Sequence, residues 1–321
     1  MPWINTEAVR AAADRLRGLT ASAADDFTDP TYYPPRGADE ETTAAYFLVM
    51  VAMDHRLSRP GKPYEAVIDG RLLHGADLLY YLGARRLRED PGFFTPERLA
   101  SVTGRDILDW LCVANTCPPD PERRAALLRD LGVKLARLYD SNPLNPIRAA
   151  DNTLNGTPEK PGLIQTLGVF QAYNDPVWKK IMLLAKFLER RRILRIRDAE
   201  SKRVPVDNHV ARIAYRIGIV DVEENLKPLL EWRRHATPQE DVLLRTTIRE
   251  AWHLVAEEAG IDDYTLDDHL WSFGRRICKP EKPNCNKCHK HPLCRNNNCI
   301  FKDICRGRSI KEHLYIDTWW Y

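Results

Sequence analysis

Six of the eight cysteines of this 321-residue chain lie between positions 278 and 305, and the first four follow the pattern Cys278-x6-Cys285-x2-Cys288-x5-Cys294. A secreted disulfide scaffold would spread its cysteines along a short chain, whereas this chain is long. It also opens with no charged, then apolar, then small-residue pattern of an export signal, so an intracellular, cytoplasmic protein is expected. Clustered thiols in a reducing compartment predict a metal. Four thiolates at this spacing can wrap a 4Fe–4S cube, since each iron needs one soft ligand and a short loop can supply four. A tetrahedral zinc site is the competing use, but zinc modules usually carry two Cys-x2-Cys knuckles and this stretch has one. Structural disulfides are the third use.

Charge separates the same end of the chain from the rest. The net charge is +3, yet residues 275–312 carry 11 Lys/Arg against 3 acidic residues, an excess of 8 that leaves about −5 elsewhere. One strongly basic end is the footprint of a polyanion partner, although a solvated tail has the same composition. Apolar residues make up 44% of the chain and charged residues 29%, which excludes a disordered or fibrous chain. The longest apolar run, 44–53, is about half a membrane span and ends in Asp54-His55-Arg56, so no membrane association is expected.

Elsewhere the pattern is helical. Apolar residues recur with a period of about 3.6 over 7–17, 42–57, 75–89, 120–139, 176–193, 208–217, 238–259 and 265–276. Alternation from Tyr64 into Asp69-Gly70 predicts a short hairpin. Breakers gather at 29–37, 117–121 and 142–162, and the last of these is the best boundary between helical lobes. The expected fold class is all-α: an N-terminal helical lobe (1–145), a central lobe (146–277) and a cysteine-rich basic tail (278–321). The basic run Lys186, Arg190, Arg191, Arg192, Arg195, Arg197, Lys202 and Arg203 reads as a phosphate-tracking stripe or as the wet face of a helix.

The segment Phe273-Gly274-Arg275-Arg276-Ile277-Cys278, with Lys282-Pro283 before Cys285, resembles the cluster loop of the endonuclease III group of helix-hairpin-helix DNA glycosylases. The resemblance covers about 266–294. It implies a two-lobed glycosylase fold, a 4Fe–4S cluster on Cys278, Cys285, Cys288 and Cys294, and DNA phosphates docked by Arg275, Arg276, Lys282 and Lys287. Cys299-x5-Cys305 repeats the last spacing and looks still more like the family's final ligand segment. Cys294 is taken as the fourth ligand because it requires no insertion.

Val206-Asp207-Asn208-His209 resembles the same family's Val-Asp-x-His box, which implies that Asp207 is the catalytic aspartate. As a helix N-cap alone, an Asp contributes about 1 kcal/mol and no function. The chemistry suits a carboxylate: breaking an N-glycosidic bond builds positive charge on the sugar, which a fixed anion stabilises. The family's glycine hairpin is missing, and Lys179 and Lys180, the candidates for a lyase lysine, are placed by no motif. A monofunctional enzyme is expected, leaving an abasic site.

A more diffuse resemblance spans about 40–275. The stretches from Ala44 to Asp54 and from Tyr64 to Gly75, and Asp175-Pro176-Val177-Trp178-Lys179-Lys180, are similar to the queuosine-salvage N-glycosidases, which release a bulky base from a 5′-nucleotide. It implies a base pocket involving Asp54, His55, Asp267 and Trp271, with different polar contacts, because those enzymes have other residues at Asp54-His55-Arg56. Both resemblances imply N-glycosidic cleavage. The basic tail favours double-stranded DNA with a flipped-out modified base over a free nucleotide. A bulky, hypermodified base would place the enzyme in antiviral defence as readily as in repair. A nucleic-acid-binding relative without catalysis is the third reading. The chain is expected to act as a monomer.

Overall fold

The computed structural model describes residues 1–19, 25–59 and 61–321. The chain forms two compact units. One holds the N-terminal residues up to 19 together with Lys202–Asp317; the other holds Asp25–Ser201 and Thr318–Tyr321. This differs from the expected boundary at 145/146. The prolines and asparagines of 142–162 make turns inside one unit, and the true change of unit follows Ser201. The N-terminus joins the later half because Pro2–Ile4 pairs antiparallel with Val220–Val222, and helix Thr6–Leu16 packs on helix Pro238–Ala259.

All eight periodic segments are helical: Thr6–Leu16, Glu40–Met53, Ala76–Glu89, Pro121–Leu138, Lys179–Arg190, Asn208–Ile217, Pro238–Ala259 and Asp263–Arg276. The expected hairpin forms as Glu65–Ile68 and Arg71–His74, with Asp69 and Gly70 at φ +50° and +74° in its turn. The fold is mainly helical rather than all-α, since three two-stranded antiparallel ribbons are present among the described residues. None of the described helices is long and apolar enough to cross a membrane.

In the unit built on Asp25–Ser201, helix Glu40–Met53 is buried on almost every side among Ala76–Glu89, Pro121–Leu138 and Lys179–Arg190. It ends at Met53, short of the predicted residue 57. The reason is Arg124, fully buried, whose guanidinium takes the carbonyls of Met53, His55 and Arg56 at 2.7–2.9 Å. Those carbonyls then have no need of helical partners.

In the other unit, helices Thr6–Leu16, Asn208–Ile217, Pro238–Ala259 and Asp263–Arg276 share one apolar core, which continues through Cys278, Cys288, Leu293, Cys299, Ile300 and Phe301. Helix Pro238–Ala259 opens with a Thr237/Glu240 capping box and closes on Gly260 at φ +66°, the left-handed residue that ends a helix at no steric cost.

Candidate active site and cysteine loop

Val204-Pro205-Val206 is buried and leads into Asp207, which caps helix Asn208–Ile217. One carboxylate oxygen, Oδ1, accepts both capping bonds, from the backbone N–H of His209 at 2.8 Å and of Val210 at 2.9 Å. Among the described residues the other oxygen accepts no hydrogen bond. The half-buried carboxylate is therefore held by one oxygen at the positive end of a helix and presents the other.

The surroundings of Asp207 come from helix Asp263–Arg276. Gly274 lets this helix lie directly on His209: a Cβ at Gly274 would stand 2.7 Å from the His209 Cβ. Trp271 meets the His209 ring edge-on at 6.5 Å, and the Arg275 guanidinium covers the Trp271 ring at 5.0 Å. Burial holds His209 below the usual histidine range, against the pull of Asp207. Its Nδ1 lies 3.0 Å from an Arg212 Nη, which can only donate, so the imidazole accepts there and is neutral. Arg276, Lys282 and Lys287 are exposed, Arg275 is half-buried, and Asp267 is buried at 3% exposure.

Two buried arginines, which the sequence reading missed, tie this helix to the cysteine loop. Arg212 donates to the carbonyls of Cys278 at 2.7 Å and Gly274 at 2.9 Å, and pairs with buried Glu312 at 2.9 Å. One turn later, Arg216 donates to the carbonyls of Lys279, Pro280, Arg308 and Ile310 at 2.7–2.9 Å and lies 3.2 Å from the Cys278 sulfur. Their spacing on one face of an otherwise apolar helix was the available signal, since full burial of a guanidinium requires partners.

The cysteines divide differently from the expected ligand set. Cys288 and Cys294 form a disulfide, while Cys278, Cys285, Cys299 and Cys305 are free. These four line one cavity of about 320 Å³, together with Arg216, Phe273 and Phe301; neither Cys288 nor Cys294 lines it. Burial pushes the Cys299 thiol up to about 12, and its neighbours Cys278, Cys285 and Cys305 add to the rise. Among the described residues, no three His, Cys, Asp or Glu side chains form a group that could hold a single metal ion. The thiols surround a volume instead. The remaining pair, Cys112–Cys117, closes a surface turn.

Asp54 and His55 lie in the unit built on Asp25–Ser201, and that unit brings them to Lys179 and Lys180. Buried Asp175 accepts from the N–H groups of Val177 and Lys179, and Trp178 takes φ +63°, which turns the chain into helix Lys179–Arg190. Lys179 Nζ donates to the Asp54 carbonyl at 3.0 Å and stands 3.9 Å from its carboxylate. Lys180, with no exposed surface, donates to the Ala52 carbonyl at 2.6 Å and meets His55 Nδ1 at 3.3 Å. Burial, then the charge of Lys179, pushes Lys180 well below the usual lysine range; burial, then Arg124 and the two lysines, does the same to His55.

The basic run at 186–203 is divided: Arg192, Arg195 and Arg197 are exposed, as a wet face would be, while other members are engaged within the fold. Arg191 donates to the carbonyls of Phe27, Pro34 and Pro35, Arg197 pairs with Asp151, Lys202 with Asp262, and Arg203 with Glu250. Lys186 is buried.

Residues 186–303 match the family model AGOG, described as N-glycosylase/DNA lyase. No curated protein matches the chain significantly. Among solved structures, the chain is similar to the 8-oxoguanine DNA glycosylase of Pyrobaculum aerophilum, solved with 8-oxoguanosine, at 17% identity and a TM-score of 0.49 over 84% of this chain and 88% of that one. At that level the likeness bears on neither substrate nor site. What the comparisons contribute is the stretch 186–303, which holds Asp207, the buried arginines and five of the six clustered cysteines and stops two residues short of Cys305.

Proposed function

We propose that this protein is a DNA glycosylase that hydrolyses the N-glycosidic bond of a modified, bulky base flipped out of double-stranded DNA, and leaves an abasic site. One observation carries the reading: within the stretch matched to an N-glycosylase/DNA lyase family, Asp207 has one oxygen locked by two backbone N–H groups and the other accepting no hydrogen bond among the described residues. As the bond to the base breaks, positive charge gathers on C1′ and the ring oxygen of the sugar, and an anion already fixed in place stabilises it without reorganisation. The second oxygen also orients a water for attack on C1′. His209, neutral and committed to Arg212, positions the helix start rather than moving a proton. Exposed Arg276, Lys282 and Lys287 supply phosphate contacts. The cysteine loop is read as the holder of a 4Fe–4S cluster, which would keep that basic loop in shape.

A second reading adds a lyase step. It is favoured by the buried Lys180, whose amine is held below the usual lysine range by burial and the charge of Lys179, the direction that helps Schiff-base formation. Against it stands the lack of any exposed surface on Lys180. The test is incubation with duplexes carrying a panel of modified bases, beside queuosine 5′-phosphate as a control, scoring abasic sites before and after alkali. Base release from a duplex that disappears in Asp207→Asn supports the proposal; turnover of the nucleotide alone refutes it. Trapping of a covalent protein–DNA adduct by borohydride, lost in Lys180→Met, would establish the lyase reading.

A further inference from the structure

We infer that the cluster ligands are Cys278, Cys285, Cys299 and Cys305, and that residues 286–298 are an insert in the cluster loop, closed on itself by the Cys288–Cys294 disulfide. The inference rests on the iron–sulfur reading above and specifies which residues of this chain serve it.

Three observations support the assignment. First, these four thiols line one cavity, whereas the other two cysteines of the loop are joined to each other and do not line it. A 4Fe–4S cube takes one thiolate on each iron, so its ligands surround a volume rather than converge on a point. Second, the two ends of the 13 residues between Cys285 and Cys299 meet, because the Cys299 N–H donates to the Cys285 carbonyl at 2.9 Å. Cys294 pairs with Cys299 and Arg295 with Asn298 in a short ribbon, and the Cys288 N–H donates to the Asn297 carbonyl at 3.1 Å. Omitting residues 286–298 leaves Cys278-x6-Cys285 adjoining Cys299-x5-Cys305, so the insert can be added without disturbing the ligands on either side. Third, the cavity suits a charged inorganic group. Its lining is largely apolar, through Ile213, Ile217, Phe273 and Phe301, yet the buried Arg216 guanidinium lies 3.2 Å from the Cys278 sulfur, where it can offset thiolate charge. Zinc would need four thiols drawn to a single point, which the described residues do not provide.

The test uses the full chain purified without oxygen, with iron, acid-labile sulfide and visible absorption as readouts. The wild type is expected to carry about four irons. The double variant Cys288→Ser/Cys294→Ser should keep that content and the same spectrum, while Cys299→Ser and Cys305→Ser should each lose the four-iron stoichiometry and most of the colour. Because a ligand variant can also misfold, the wild type is alkylated without reduction and mapped by mass spectrometry. Cys288 and Cys294 should be recovered in one disulfide-linked pair, and Cys299 and Cys305 should react only after the iron is chelated. Iron lost from the double variant but kept by Cys305→Ser would overturn the ligand assignment alone. A wild type that holds no iron, even after reconstitution with ferrous iron and sulfide, would overturn the cluster reading itself.

Discussion

Replacing Asp207 by Asn separates its structural role from its proposed chemical one. Both capping bonds fall on a single oxygen, Oδ1, and Asn keeps an amide oxygen that accepts them equally well. What the fold loses is the attraction between a full charge and the helix N-terminus, about 0.3–1 kcal/mol. For a chain of this size that lowers Tm by about 2–4 °C per kcal/mol. The transition state loses more, because the anion faces a sugar that becomes cationic only there; removing one preorganised charge or donor commonly costs about 3–4 kcal/mol, or ~10²–10³ in rate. The assay is single-turnover base release from whichever duplex proves to be a substrate, run beside thermal unfolding and DNA binding. A hundredfold or greater rate loss with Tm and affinity nearly unchanged is expected. Asp207→Ser, another good N-cap without charge, should behave alike. Turnover within a few-fold of wild type in Asp207→Asn would reduce the residue to a helix cap and leave the glycosylase without its proposed anion.

Gly274→Ala should destabilise the unit by about 1–3 kcal/mol in urea unfolding, because its Cβ would stand 2.7 Å from that of His209. His291 is held down to about 4, by burial first, and it accepts the Leu293 N–H on Nδ1 while donating from Nε2 to Ser272. A histidine lowered by folding contributes stability above its unfolded pKa of about 6.5 and loses that contribution as pH falls toward 4. The urea midpoint of wild type should therefore drop over that window more than that of His291→Gln, and equal pH profiles would remove His291 as the cause. Neutralising Arg276 and Lys282 together should flatten the plot of log affinity against log salt by about 0.9 for each DNA phosphate they would otherwise neutralise, with base preference unchanged. An unaltered slope would show that DNA docks elsewhere.

The long helices and the hairpin at 65–74 were legible in the residues themselves, because a period of about 3.6 and an Asp69-Gly70 turn are set by neighbours within a few positions. The place of Asp207 as a helix cap was legible for the same reason: a cap and the helix it starts are adjacent. Short helices such as Gly104–Leu111 and Leu163–Gly168 escaped, since segments of that length draw their stability from packing rather than from their own periodicity. Arg124 ended helix Glu40–Met53 early from 71 residues away in sequence. The pairing of Pro2–Ile4 with Val220–Val222 lay just as far out of reach. Nothing local connects Lys180 to His55 either, although the fold sets them 3.3 Å apart. The cysteines show the limit most sharply. The x5 spacing occurs twice, at Cys288/Cys294 and at Cys299/Cys305, and spacing treats the two pairs alike. The folded loop separates them, by joining Cys285 to Cys299 through the backbone and leaving the first pair to each other. Spacing along the chain limits how far apart two thiols can be, whereas which thiols share a cavity is decided by the long-range contacts that close the loop.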